Sequence, residues 1–205
     1  MALNALAGEQ RYEPLAASVQ TTMHSSVADR ASPKLVFATP TQGRAWLSAM
    51  SQRLAQHIAD ERTRLDFLIT VQYEARRAGL DPQMVLALIE VESKFRKYAV
   101  SSAGARGYMQ VMPFWVDLIG TANQDLFKLR TNLRYGCVIL RHYLEIEGGD
   151  IYRALGRYNG SSSSKSAYSV RVVRAWQTRW LLPGEGRARA SPTQALPLRY
   201  RGQAQ

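Results

Sequence analysis

The chain has 205 residues, of which one is cysteine and three are histidine. A lone cysteine excludes an intrachain disulfide. Cys137 sits among Tyr135, Val138 and Ile139, where a thiol acts as a small hydrophobe. His24, His57 and His142 are scattered, and no metal-ligand spacing joins them to each other or to Cys137. Neither a metal site nor a cofactor is therefore expected. No run of about 18 apolar residues occurs, so no transmembrane span is expected. No stretch alternates at period two for more than a few residues, which argues against a sheet. Acidic residues are also scarce, 16 against 27 Lys and Arg, leaving a formal net charge of +11.

That charge favours a polyanionic partner: nucleic acid, an anionic membrane surface or an acidic polymer such as cell wall. The arginines are spread along the chain and not gathered on one helix with aromatic support, so nucleic acid is not expected. Association with a membrane surface or wall through the basic charge fits better. The length suits one well-buried domain plus tails, expected to be a monomer. The chain opens MALNALAGEQ, without a basic or fully apolar leader. No complete signal peptide is present in the sequence as given, yet ALA-GEQ resembles the small-residue end of a cleavage site. Residues 1–7 are read as the end of a signal peptide whose start lies upstream, which places the protein in the periplasm or cell envelope.

Helical spacing runs through most of the rest. Residues 8–41, rich in Ser, Thr and Ala and broken by Pro33 and Pro40, read as a linker or loosely packed arm with room for a short helix. Trp46, Met50, Leu54 and Ile58 mark the first long helix. Asp60 caps a second, carrying Leu65, Leu68, Ile69 and Tyr73 and closed by Gly79. YMQVM reads as a short helix or tight turn, and FWVDLIG as a short helix after Pro113. Asn132 is placed to cap a helix with Leu133, Cys137, Leu140 and Leu144 on one face. Asp150 starts a short helix that ends at Tyr158, and the last helix carries Val172, Val173, Trp176 and Trp180 on its apolar side. The tail from Pro183 onward, rich in Pro, Gly and Arg, is expected to be disordered. The expected fold is all-α, with roughly seven to eight helices.

Residues 81–113 are the most informative stretch. Asp81 is a good N-cap and Pro82 suits the first helical position. Val85, Leu88, Ile89 and Glu92 then share one helix face. Glu92 ends an apolar stripe, and a carboxyl at the edge of a core has its pKa raised by desolvation. Such a group can stay protonated near neutral pH and donate a proton. On the helix pattern alone, a Glu at the surface paired with Lys94 or Arg96 is the commoner arrangement.

Three blocks decide between these readings: Val91-Glu92-Ser93-Lys94-Phe95, Ser101-Ser102-Ala103-Gly104-Ala105-Arg106-Gly107-Tyr108-Met109-Gln110-Val111-Met112-Pro113, and Arg157-Tyr158-Asn159-Gly160. With Thr131-Asn132-Leu133-Arg134-Tyr135-Gly136 between the last two, they resemble, in order and spacing, the soluble lytic transglycosylase (SLT) domain. That is the peptidoglycan-cleaving branch of the lysozyme-like superfamily. The resemblance implies a lysozyme-like, goose-type/SLT helical domain over 42–182, with an irregular arm over 1–41 and a flexible basic tail over 183–205.

It implies an activity as well: a lyase that cleaves the β-1,4 bond between MurNAc and GlcNAc of peptidoglycan glycan strands and leaves 1,6-anhydro-MurNAc ends, for cell wall remodelling. Glu92 would be the single catalytic acid/base and Tyr158 would orient it. Ser101 would help hold the substrate or the carboxyl, Gln110 and Met112 would line the groove, and Asn159 would support the opposite wall. A hydrolase would need a second carboxylate, about 5–5.5 Å away in the retaining kind and about 6.5–9.5 Å in the inverting kind. None lies in the blocks; Asp117, Asp125, Glu145, Glu147 and Asp150 are the acids between Glu92 and Tyr158. A lysozyme-type hydrolase and a non-catalytic glycan-binding module are the alternatives. The chain departs from the family pattern at Gly160, where Ala is usual, and at Arg96-Lys97, where Asn-Pro is common. The first loosens a loop. The second makes the groove rim more basic, which suits the carboxylates of stem peptides.

Overall fold

The computed structural model describes residues 10–28, 31–121, 124–161 and 166–182. The expected signal-peptide remnant, most of the serine loop and the basic tail lie outside the described residues. Within them the chain forms eight α-helices and no strand. Capping residues set several helix starts. Thr39 and Pro40 open α2 (Pro40–Leu54), and Asp60 opens α3 (Glu61–Arg77) by accepting from the Thr63 N–H at 2.8 Å. Asp81 accepts from the Gln83 N–H at 2.7 Å at the head of α4 (Pro82–Ser93), with Pro82 in the first turn. Each such cap satisfies donors the helix itself leaves orphaned and contributes about 1 kcal/mol.

Ahead of α2 lies α1 (Ala17–Ala28), a docked helix where the sequence suggested a loose arm. Its polar residues disguise it: Thr21, Thr22, Ser25 and Ser26 each bond the carbonyl four residues back. Met23 and Val27, one turn apart, are its buried residues. Gln20 Nε2 donates to the Leu118 carbonyl at 2.7 Å, and the His24 ring meets that of Ile119. The helix thereby sits against α5 (Phe114–Ile119) and α6 (Leu129–Ile146).

The core is built on α4, whose residues Val85 to Ile89 are wholly buried. It packs on α3, on α8 (Ala167–Ala175) and on the π-helical turn Trp176–Trp180 that continues α8. The amphipathic α6 joins α3 to α7 (Ile151–Tyr158), and α7 in turn packs on α8. Asp150 caps α7 as expected. Asn132 does not cap α6, which already begins at Leu129. Between α4 and α5, YMQVM is a tight turn: Arg106 and Val111 exchange N–H···O bonds of 2.9 and 3.0 Å, and isolated antiparallel bridges join Arg106 to Val100 and to Val111.

Candidate active site

Glu92 lies in the last turn of α4 and is 3% exposed. The chain reverses immediately after it, through Lys94 and Phe95 with φ of 51° and 61°. Two consecutive left-handed residues other than glycine are strained. Burial of Phe95 offsets the strain: its ring packs on Phe67, Trp180 and His57 with centroids 5.9, 5.5 and 4.8 Å away. Lys94 and Arg96 stay at the surface, and Arg96 Nε donates to the Ser93 carbonyl at 3.0 Å. Glu90, on the same helix, is a contrasting carboxylate. It accepts from Trp180 Nε1 at 2.7 Å and from Arg179 Nε at 3.0 Å.

The Gly-rich segment is held by its own side chains and by Asn132. Wholly buried, the Asn132 amide accepts from the Met109 N–H at 2.8 Å and donates to the carbonyls of Arg106 and Leu126 at 2.8 and 2.9 Å. Gly107 has φ of 76°, and a Cβ there would stand 2.4 Å from Asn132 Nδ2, so only glycine admits the clamp. Gly136 of α6 likewise makes room for the Met109 side chain, whose sulfur would be 2.4 Å from an added Cβ. Gln110 is buried at φ 49°, and its Nε2 donates to the carbonyls of Ala99 and Gly107 at 3.1 and 2.8 Å. Its side chain therefore ties the wall together from within. Ser101 Oγ accepts from the Ala105 N–H at 3.1 Å, closing the same loop. Met112 is half-buried, and its N–H donates to Gln10 Oε1 at 3.2 Å.

Tyr158, at the end of α7, is wholly buried and donates its hydroxyl to the Met109 carbonyl at 2.8 Å. Burial, and then the neighbouring Glu92 charge, push the Tyr158 phenol well above its usual range. The hydroxyl that bonds Glu92 Oε1 is that of Tyr168, in the first turn of α8. Burial chiefly, with Glu92 adding to it, likewise raises the Tyr168 phenol well above its usual range. Both hydroxyls thus stay protonated as donors. Sequence reading missed Tyr168 because it lies on the same apolar side as Val172 and Val173, like any packing aromatic. Asn159 follows Tyr158, and its buried Oδ1 meets no hydrogen-bond partner among the described residues. Gly160 takes φ of 73°, a value that suits glycine.

Of the five acids between Glu92 and Tyr158, four have partners of their own. Glu145 pairs with Arg141 at 2.8 Å, Glu147 is enclosed by Arg153 and Arg157, and Asp150 caps α7. Asp125 accepts from the Phe127 N–H at 2.8 Å, and Asp117 is exposed. Among the described residues no cluster of His, Cys, Asp and Glu could hold a metal, and no helix is long and apolar enough to cross a membrane.

The helices thus bring together a buried carboxyl at the end of α4, the Tyr168 phenol that bonds it, and Tyr158 seated on the Gly-rich segment, an arrangement able to give or take a proton. The chain belongs to the transglycosylase SLT domain family, whose model matches residues 69–172. It is 39% identical over 79 residues to membrane-bound lytic murein transglycosylase C of Mannheimia succiniciproducens, covering 38% of this chain and 20% of that protein. To the protein of the same name in Yersinia pestis it is 35% identical over 92 residues, 45% of this chain and 24% of the other. The chain thus spans about a fifth of the length of these curated relatives. Among solved structures it is similar to an inactive variant of the lytic transglycosylase Slt from Pseudomonas aeruginosa, at 20% identity and a TM-score of 0.43, covering 68% of this chain and 27% of that one.

Proposed function

We propose that the protein is a peptidoglycan lytic transglycosylase of the cell envelope, with Glu92 as its single acid/base. The observation that carries this reading is the Glu92 carboxyl, buried at the end of α4 and bonded by the Tyr168 hydroxyl, in a chain of the SLT family. Burial disfavours the ionised form, while a donated hydrogen bond favours it. The two effects oppose each other, which suits a group that must serve in both states.

In the first state Glu92 gives its proton to the glycosidic oxygen between MurNAc and GlcNAc, and that bond breaks. In the second, the ionised carboxylate takes the proton from the muramic C6 hydroxyl as its oxygen bonds the anomeric carbon. The product is an anhydro-muramic end, Glu92 is again protonated, and no water is consumed. Tyr168 positions the carboxyl directly. Tyr158 acts through the Met109 carbonyl, fixing the wall opposite. Asn159, next to Tyr158, supports the same wall from behind. Ser101 and Gln110 act through the loop they close, and Met112 presents its edge to the glycan. The separate engagement of Asp125, Glu145, Glu147 and Asp150, with Asp117 exposed on α5, supports lytic over hydrolytic chemistry. The net charge of +11 supports wall association.

The test is digestion of purified peptidoglycan with the native protein and with Glu92→Gln, followed by mass analysis of the muropeptides. Anhydro-muropeptides from the native protein alone are expected. Reducing ends would replace this reading with a hydrolase, and no release by the native protein would leave a binding module.

A further inference from the structure

The segment ahead of α1 crosses the wall that the lytic reading assigns to substrate. Gln10 lies 100 residues from Gln110 in sequence, yet its side chain is 3% exposed and seated on the Gln110–Met112 segment. Its Nε2 donates to the Gln110 carbonyl at 3.3 Å, and its Oε1 accepts from the Met112 N–H at 3.2 Å. The carboxamide also lies within hydrogen-bonding reach of the Tyr158 hydroxyl. A carbonyl and an N–H on either side of Val111, both met by one carboxamide, form a receptor for an amide. Amide groups of this kind are what a glycan of N-acetylated sugars presents, with one N–H to give and one carbonyl to receive.

Among the described residues, residues 11–14 add only surface contacts. Arg11, Tyr12, Glu13 and Pro14 are exposed. Tyr12 touches the edge of Phe114, with ring centroids 5.7 Å apart, and Glu13 pairs with Arg157 at 3.4 Å at the surface. Exposed pairs of this kind hold weakly and are screened by salt. Immediately behind, α1 is docked through Met23 and Val27, so the segment is tethered beside its seat whether bound or released. A tether of that sort gives a weak contact a high effective concentration.

We infer that residues 10–14 form an autoinhibitory strap, in which the Gln10 carboxamide occupies the amide receptor of Gln110 and Met112 in place of an N-acetyl group of the glycan. The inference rests on the reading of the groove proposed above. Glycan and strap compete for one carbonyl and one N–H. The apparent affinity for glycan is therefore the intrinsic affinity reduced by the fraction of molecules with the strap lifted. Among the described residues, lifting gives up the surface contacts and the seating of one carboxamide, and leaves α1 in place.

The experiment compares the native chain with Gln10→Gly and Glu13→Arg. The second variant sets like charge against Arg157 without touching the groove. Two quantities are measured for each: calorimetric binding of tri-N-acetylchitotriose, and the rate of muropeptide release from purified peptidoglycan. Gln10→Gly is expected to bind the trisaccharide about five- to tenfold more tightly, the effect of removing a competitor that occupies most molecules. Glu13→Arg shifts binding the same way by a smaller factor, and release rises in parallel. Unchanged or weaker binding by folded Gln10→Gly overturns the strap and makes the segment a fixed wall of the groove. Should Gln10→Gly fail to fold, Glu13→Arg decides by the same readout. Tighter binding with no turnover by any of the proteins leaves the strap standing and removes the lytic reading. Turnover with equal binding removes the strap and leaves the lytic reading. Absence of trisaccharide binding from all of them overturns the strap as well.

Discussion

Glu74 and Glu92 are buried carboxyls on successive helices, 1% and 3% exposed, and their surroundings differ in kind. Glu74 on α3 faces Arg134 at 2.9 Å, Arg130 at 3.1 Å and Arg77 at 3.6 Å. These guanidiniums reach it from α6 and from its own helix, so the pair network ties α3 to α6. The guanidiniums compensate that buried charge within the protein. Glu92 meets the hydroxyl of Tyr168, a donor whose own proton burial secures. Depth of burial alone therefore does not mark an acid/base. The described contacts separate a carboxylate held among guanidiniums from one that accepts a phenol's hydrogen bond, the contact proposed to position Glu92 as an acid/base.

Substitution should separate the two sites cleanly. Glu92→Gln is expected to lower muropeptide release by about a thousandfold or more, as loss of an acid/base group does, with thermal stability unchanged or raised. Glu74→Gln should do the reverse. Urea unfolding should read a loss of about 3 kcal/mol, because guanidiniums are left buried without their counter-charge, while turnover per folded molecule stays near native. A large stability loss at Glu92, or a turnover loss at Glu74 without unfolding, would break the comparison. Asn132→Leu is expected to cost about 2 kcal/mol, since the Met109 N–H and two carbonyls lose their partner inside the protein. Its effect on turnover should exceed that of Glu74→Gln at equal stability, because the clamp shapes the wall.

Tyr168→Phe sharpens the comparison further. It should reduce turnover about tenfold, the cost of one lost hydrogen bond of about 1.4 kcal/mol. Removing a donor to the carboxylate disfavours the ionised form, so the alkaline limb of the pH–rate profile, on which Glu92 loses the proton it must first give, should move to higher pH. A profile that merely drops without moving would make Tyr168 a packing residue. The smallest effect concerns His142, away from both carboxyls. Burial depresses its pKa, so the unfolded chain binds the proton more readily than the folded one. Its contribution is complete above the usual histidine range and is lost as pH falls through it. His142→Gln should flatten the dependence of the urea midpoint on pH in that window.

Much of this was legible in the sequence where the determinant is local. Asp60, Asp81 and Asp150 cap the helices they precede, and Glu92 ends the apolar face of its helix. What stayed hidden depends on partners far apart along the chain. Tyr168 reaches Glu92 across 76 residues and Gln10 reaches Gln110 across 100. Asn132 looked like a cap because asparagine favours caps, but its amide is spent 23 residues back on Met109. The docking of α1 was obscured because two apolar residues suffice when serine and threonine bond the helix backbone. Helical periodicity reports which face is buried; it does not report what a buried polar group meets.

The central claim is that Glu92 serves alone, passing one proton in and out without admitting water. Digesting peptidoglycan with the native protein in heavy-oxygen water, then weighing the muropeptides, tests it most directly. The account predicts anhydro-muramic ends that carry no label from solvent. Reducing ends labelled with heavy oxygen would contradict it and require a second carboxylate to activate the water.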